Sequence, residues 1–91
     1  SYHSPILPII LNNHTLSYDI LSFCKDENAQ CIYYGTDGDG VIQQYLGSDI
    51  IKVLDIPANV IVDLAMDKDK RLWIGSYRNG LLCYEKGKTK K

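Results

Sequence analysis

DLAMDKDKRLWIGSYRNGLLCYEKGK, residues Asp63 to Lys88, is the stretch that decides the fold. It holds two strand-like runs, LWIGS and GLLCY, with turn residues on every side. A third apolar run, VIVDLAM, enters from the N-terminal side across the charged turn Asp67-Lys68-Asp69-Lys70-Arg71. Asn79-Gly80 has the chemistry of a two-residue hairpin turn, in which both residues take positive φ and match the twist of the flanking strands. The three runs predict one antiparallel meander.

The meander occurs twice. Ile20 to Tyr45, ILSFCKDENAQCIYYGTDGDGVIQQY, lies over Ile61 to Tyr84, with Ile20 on Ile61, Phe23 on Leu64 and Asp26 on Asp67. Beyond the first turn Tyr33 falls on Trp73, Gly35 on Gly75, Thr36 on Ser76, Gly40 on Gly80 and Val41 on Leu81. One extra residue in the first copy of that turn accounts for the slip in offset. The positions retained are the structurally demanding ones, glycines and a turn aspartate. The first strand of each unit is expected at Ile20–Lys25 and Ile61–Met66. Leu21 and Phe23 would face away from Ser22 and Cys24, and Val62 and Leu64 away from Asp63 and Ala65. Second strands are expected at Ile32–Thr36 and Leu72–Ser76, third strands at Val41–Tyr45 and Leu81–Tyr84. A fourth, Ile50–Asp55, is expected after the first unit only.

Four short antiparallel strands repeating every ~40–50 residues is the plan of a β-propeller blade. The expected fold is therefore all-β: about two four-stranded blades, part of a larger propeller or of an oligomeric ring. Residues 1–19 would supply the last strand of a preceding blade (Ile6–Leu11) and a connecting loop (Asn12 to Ser17). Residues 20–59 would form the first blade and its linker. Residues 60–91 would form a three-stranded second blade and a basic tail, leaving Ile6–Leu11, from this chain or another copy, to fill the open fourth place. Blades pack face to face, so two of them leave two apolar faces in need of further blades, from the same chain or from other copies.

Composition narrows the function. Ten basic and eleven acidic residues give a net charge of -1, which argues against nucleic acid or a membrane surface as partner. Apolar residues at 45% and charged residues at 23% suit a packed domain rather than a disordered one. Cys24, Cys31 and Cys83 have no metal-ligand or redox spacing and sit in strand-like runs, where cysteine packs as a small hydrophobe. Asp37-Gly38-Asp39-Gly40 resembles the start of a calcium loop, but Ser48 stands where that loop needs its glutamate. No metal and no cofactor are expected. His3 and His14 have no nucleophile at motif spacing, and no catalytic motif appears.

The second unit resembles the two-component regulator propeller repeat. That pattern is an apolar strand, Asp, a short turn, Leu-Trp-Ile-Gly-Thr, a few variable residues, Gly-Leu and a strand ending near Tyr. Here it reads VDLAMDKDKRLWIGSYRNGLLCY, with Ser76 for Thr and Lys70 for the usual turn glycine. In the first unit Tyr33-Tyr34 replaces Trp-Ile. The resemblance implies the periplasmic sensor region of a hybrid histidine kinase, with the kinase elsewhere and no catalysis in this segment. It further implies a ligand, expected to be an oligosaccharide. The rival readings are a scaffold that binds another protein and a piece of a propeller lyase or glycosidase.

In such a blade the turns between second and third strands share one face with the linkers between blades. That places Tyr77, Arg78 and Asn79, together with Asp37, Gly38 and Asp39, as ligand-binding candidates, beside linker residues Tyr18, Pro57 and Asn59. Tyr77 offers a ring for stacking on a sugar and Arg78 a fork of donors. Ordinary turn chemistry explains the same residue types. Structural roles are expected for Trp73 in inter-blade packing, for Asp26 and Asp67 as acceptors of turn amides, and for Gly35, Gly75, Gly40 and Gly80.

Overall fold

Nine strands and no helix make up the residues that the computed structural model describes, 6–11, 14–48 and 50–90. β1 (Ile6–Leu11), β2 (His14–Asp26), β3 (Cys31–Thr36), β4 (Val41–Tyr45) and β5 (Ile51–Val53) lie side by side in chain order in one sheet. β6 (Ile61–Met66), β7 (Leu72–Ser76), β8 (Gly80–Glu85) and β9 (Lys88–Lys90) form a second. Every pairing is antiparallel. The protein is all-β, and β2 to β5 and β6 to β9 are two β-propeller blades.

The two blades repeat down to their irregularities. Ile20 pairs with Thr36 and Ile61 with Ser76, and in each case the register then shifts, so that Ser22 faces Gly35 and Asp63 faces Gly75. Such a bulge inserts one residue and breaks the simple alternation of faces. Ile61 and Leu64 are consequently both buried, while Val62 between them is 51% exposed. The alternation expected from the sequence, with Val62 and Leu64 on one face, is corrected by this bulge.

The core lies between the blades. Strand residues alternate sides and cross-strand partners share a side, so Cys31, Tyr33, Gly35, Val41 and Gln43 present one face of the first blade. A Cβ placed on Gly35 would lie 2.7 Å from Ile61 Cγ2, which shows that this face meets the second blade. Opposite it stand Ile61, Leu64, Leu72, Ile74 and Leu82, all buried in the same cluster, with Leu54 and Ala58 closing it from the connector. We call the Gly35 side of the first blade its front and the Ile61 side of the second blade its back. The buried amide Nε2 of Gln43 donates to the Tyr33 hydroxyl at 3.2 Å, so this polar group enters the core with a partner. Burial pushes the Tyr33 hydroxyl pKa up, and the hydrogen bond with Cys31 adds to the shift.

Four expectations need correction. The second blade has a fourth strand, β9, whose Thr89 pairs with Tyr84 and Lys88 with Glu85. What reads as a basic tail is an edge strand, and lysine-rich edges are a common defence against sheet-to-sheet aggregation. Ile6–Leu11 does not fill that place. It pairs with the first half of β2, Ile6 opposite Asp19 through Leu11 opposite His14. His14 to Ser17 belong to a strand rather than a loop, whereas Asn12 and Asn13 of the same expected loop lie outside the described residues. Finally, Asn79-Gly80 is not the tight hairpin. Ser76 pairs with Gly80 across the three-residue turn Tyr77-Arg78-Asn79; Arg78 takes positive φ within it (φ 81), as does Gly80 where β8 begins (φ 71). The two-residue turn with both φ positive is Lys86-Gly87, between β8 and β9.

Candidate functional site

The site is built from the two turns between second and third blade strands and the connector joining the blades. In the first blade the turn is held from within. Thr36 Oγ1 donates to Gly40 O at 2.7 Å and accepts from Asp39 N at 2.9 Å, and Asp37 N donates to Asp19 O at 2.9 Å. The positive φ of Gly38 and Gly40 turns their two amides onto one acceptor, Asn59 O, at 3.0 and 2.8 Å. The connector is thus clasped by the first blade's turn, and Asp37 also forms a bridge with Val60.

The second blade's turn comes against the other end of the same connector. Tyr77 N donates to Val60 O at 2.9 Å, matching Asp37 N on Asp19 O one repeat earlier. The Asn79 side-chain amide donates to Pro57 O. Between connector and turn opens a cleft of about 570 Å³, lined by Ile56 to Val60 on one side and Tyr77, Arg78 and Asn79 on the other. Tyr77 is 60% exposed, and the Arg78 guanidinium carbon lies 5.4 Å from its ring centroid. This is cation–π distance, and it holds a planar donor fork beside an aromatic face. Arg78 is the single charged residue of the lining.

Of the sequence candidates, Tyr77, Arg78 and Asn79 therefore come together with Pro57 and Asn59. Asp37 and Asp39 sit on the neighbouring turn, exposed, and do not line the cleft. Tyr18 pairs with Leu7 in β2 and is also outside it. Sequence reasoning missed Ile56, Ala58 and Val60, the apolar side of the cleft. Their i, i+2, i+4 alternation through the connector was the available signal. Among the described residues no group of three His, Cys, Asp or Glu side chains gathers as a metal site requires.

Trp73 lies away from the cleft on the second blade's front, half-buried. Its Nε1 donates to Asp67 Oδ2 at 2.9 Å, and the Arg71 guanidinium carbon is 5.8 Å from its ring centroid. Asp67 also accepts from Asp69 N and Arg71 N and from Arg71 Nε at 2.7 Å. The Trp73 hydrogen bond first, then the Arg71 amide, hold its carboxyl well below the usual carboxylate range. Asp26 caps the matching first-blade turn by accepting from Asn28 N and Ala29 N. Lys70 Nζ reaches Asp26 Oδ1 at 3.9 Å and ties the two turns across the blades.

Two antiparallel sheets stacked front to back, with turns and connector converging at one end, define a segment of a β-propeller. The family model described as Two component regulator propeller matches residues 55–78, from the connector through β6 and β7 to Arg78. That family is generally non-catalytic. No curated protein and no solved structure matches the chain.

Proposed function

We propose that this chain is a ligand-sensing segment of a two-component signalling receptor, placed in the periplasm, and that it recognises an oligosaccharide at the Tyr77–Arg78 cleft. The observation that carries the reading is the backbone of Arg78. Its φ of 81 is one that glycine adopts without cost, and the first blade has Gly38 at the equivalent position. A non-glycine residue held in this region costs on the order of 1–3 kcal/mol. Here the strained position carries the one side chain able to lay a guanidinium beside the Tyr77 ring. An apolar wall, an exposed ring and a donor fork match the faces, hydroxyls and carboxylates of acidic sugars.

The test is calorimetric titration of the chain with oligosaccharides, neutral and uronate-containing. Tyr77→Ala and Arg78→Gly are each expected to abolish binding, while Arg78→Gly raises stability by ~1 kcal/mol through relief of the positive φ. Binding unchanged in Arg78→Gly, or wild-type protein that takes none of the sugars, would overturn the proposal.

A further inference from the structure

We propose that Asn79 is a modification site: it deamidates without an enzyme, and the carboxylate so formed lets go of the connector and offsets the charge of the cleft. The chain holds Asn12, Asn13, Asn28, Asn59 and Asn79, and Asn79 alone precedes a glycine. The side-chain carbonyl carbon of an asparagine and the backbone nitrogen of the next residue can close into a cyclic imide, and a side chain on that next residue crowds the approach. Gly80 has none. It is exposed together with Asn79, and among the described residues no atom beyond its chain neighbours lies within 4 Å of where its Cβ would stand. Gly80 pairs with Ser76 as the last rung of the β7–β8 ladder, and fraying of a terminal rung frees its nitrogen. The first blade supplies the contrast. Asp37-Gly38 and Asp39-Gly40 could close the same ring, yet both glycine amides are held on Asn59 O at 3.0 and 2.8 Å, and Gly40 is buried.

The reaction needs water alone. The Gly80 nitrogen bonds to the Asn79 side-chain carbonyl carbon, its proton leaves with the departing amide as ammonia, and the cyclic imide remains. Water then opens the imide at either carbonyl, to aspartate or to isoaspartate. Asparagine counts among the thermolabile residues. The product changes the contacts of the turn. The Asn79 side-chain amide donates to Pro57 O and ties the turn to the connector. A carboxylate oxygen in its place sets acceptor against acceptor. Isoaspartate also lengthens the main chain by one carbon ahead of Gly80, which opposes the Ser76–Gly80 pairing and the 2.8 Å bond from Ser76 Oγ to Gly80 O. Arg78, the charged residue of the cleft lining, gains a negative neighbour in the chain. Its attraction for an acidic sugar then falls. That last consequence rests on the oligosaccharide reading, whereas the reaction and the released tie do not.

The experiment incubates the folded chain at mildly alkaline pH beside urea-unfolded chain, and follows both by peptide mass mapping and an isoaspartate-specific methylation assay. The mass gain of an amide-to-carboxylate exchange is expected at Asn79, with isoaspartate at the same position and none at Asp37 or Asp39. Folded protein that keeps Asn79 intact while unfolded chain loses it overturns the proposal. Asn79→Asp copies the product, and Asn79→Gln keeps an amide donor whose ring closure is slower. Exchange of the Tyr77 amide, bonded to Val60 O, is expected to be about fivefold or more faster in Asn79→Asp than in Asn79→Gln. Equal exchange overturns the release of the connector. In calorimetry with uronate-containing oligosaccharides, Asn79→Asp is expected to bind about tenfold more weakly than fresh wild-type protein. Equal binding overturns the loss of charge. Fresh wild-type protein that takes none of the sugars removes the oligosaccharide reading instead, and the mass and exchange results still decide the deamidation. Far-UV circular dichroism identifies any variant that has lost its fold.

Discussion

Replacing Gly35 by Ala should destabilise the protein far more than the same change at its repeat counterpart Gly75. An added Cβ at Gly35 would lie 2.3 Å from Ser22 Oγ, 2.7 Å from Ile61 Cγ2 and 3.0 Å from Ile61 Cβ. Ser22 Oγ donates a long 3.4 Å hydrogen bond to Ile61 O and can rotate away from it. Ile61 is β-branched and fully buried in the core, and it has no space to move into. The blades must separate or the bulge distort, and overpacking of this kind costs about 1–3 kcal/mol. At Gly75 the nearest atom to an added Cβ is Asp63 Cβ at 3.3 Å, and the next are backbone atoms at 3.8 Å. A few tenths of an ångström of adjustment suffices, and the lower unfolded-state entropy of alanine offsets part of the cost. The difference of roughly 1–3 kcal/mol is a large share of a small domain's stability and reads clearly as a shift in urea midpoint. Equal midpoints for the two variants would refute front-to-back packing at Gly35.

Three further outcomes follow from the same contacts. Thr36 is buried with both its hydroxyl bonds satisfied, whereas the matching Ser76–Gly80 bond is exposed. Thr36→Val should therefore cost ~1–3 kcal/mol and Ser76→Ala less than ~1 kcal/mol in chemical denaturation. Asp67 has a lowered folded pKa, so its contribution to stability is present above the unfolded value of about 3.9 and is lost as pH falls below it. Asp67→Asn should be less stable than wild type at pH 6, and the two thermal midpoints should converge as the pH approaches 2. Burial pushes the Cys24 thiol up to about 11. A disulfide reagent at pH 8 should thus modify Cys24 in the native protein much more slowly than the same thiol in urea, because the thiolate is the attacking form.

Most of the fold was legible because glycines and turn aspartates recur where the backbone demands them. Aligning Gly35 with Gly75 and Gly40 with Gly80 placed the first three strands of each blade to within a residue, except that β2 begins at His14, six residues before the expected Ile20. Legibility failed where the physics is cooperative. The bulge after Ile20 and Ile61 comes from pairing with a glycine-bearing neighbour, so alternation within β6 alone misplaces Val62. β9 escaped notice because Lys88-Thr89-Lys90 has no apolar periodicity, although Gly87 marked the turn that makes it a strand. Tyr77 and Arg78 were recognisable as turn residues on the connector's side. The apolar wall formed by Ile56, Ala58 and Val60 emerges only once the connector is clasped onto the first blade.

The central claim is that the two repeats are blades packed front to back, and one nuclear Overhauser measurement tests it most directly. The Gly35 α-proton that points where a Cβ would stand should give a strong cross-peak to the Ile61 γ-methyl group. Ile61 Cγ2 lies only 2.7 Å from that Cβ position, and the two residues belong to different sheets. A strong cross-peak beside the cross-strand contacts of Gly35 with Ser22 and Val41 is the result the account requires. Those cross-strand contacts present and the Gly35–Ile61 contact absent would contradict it.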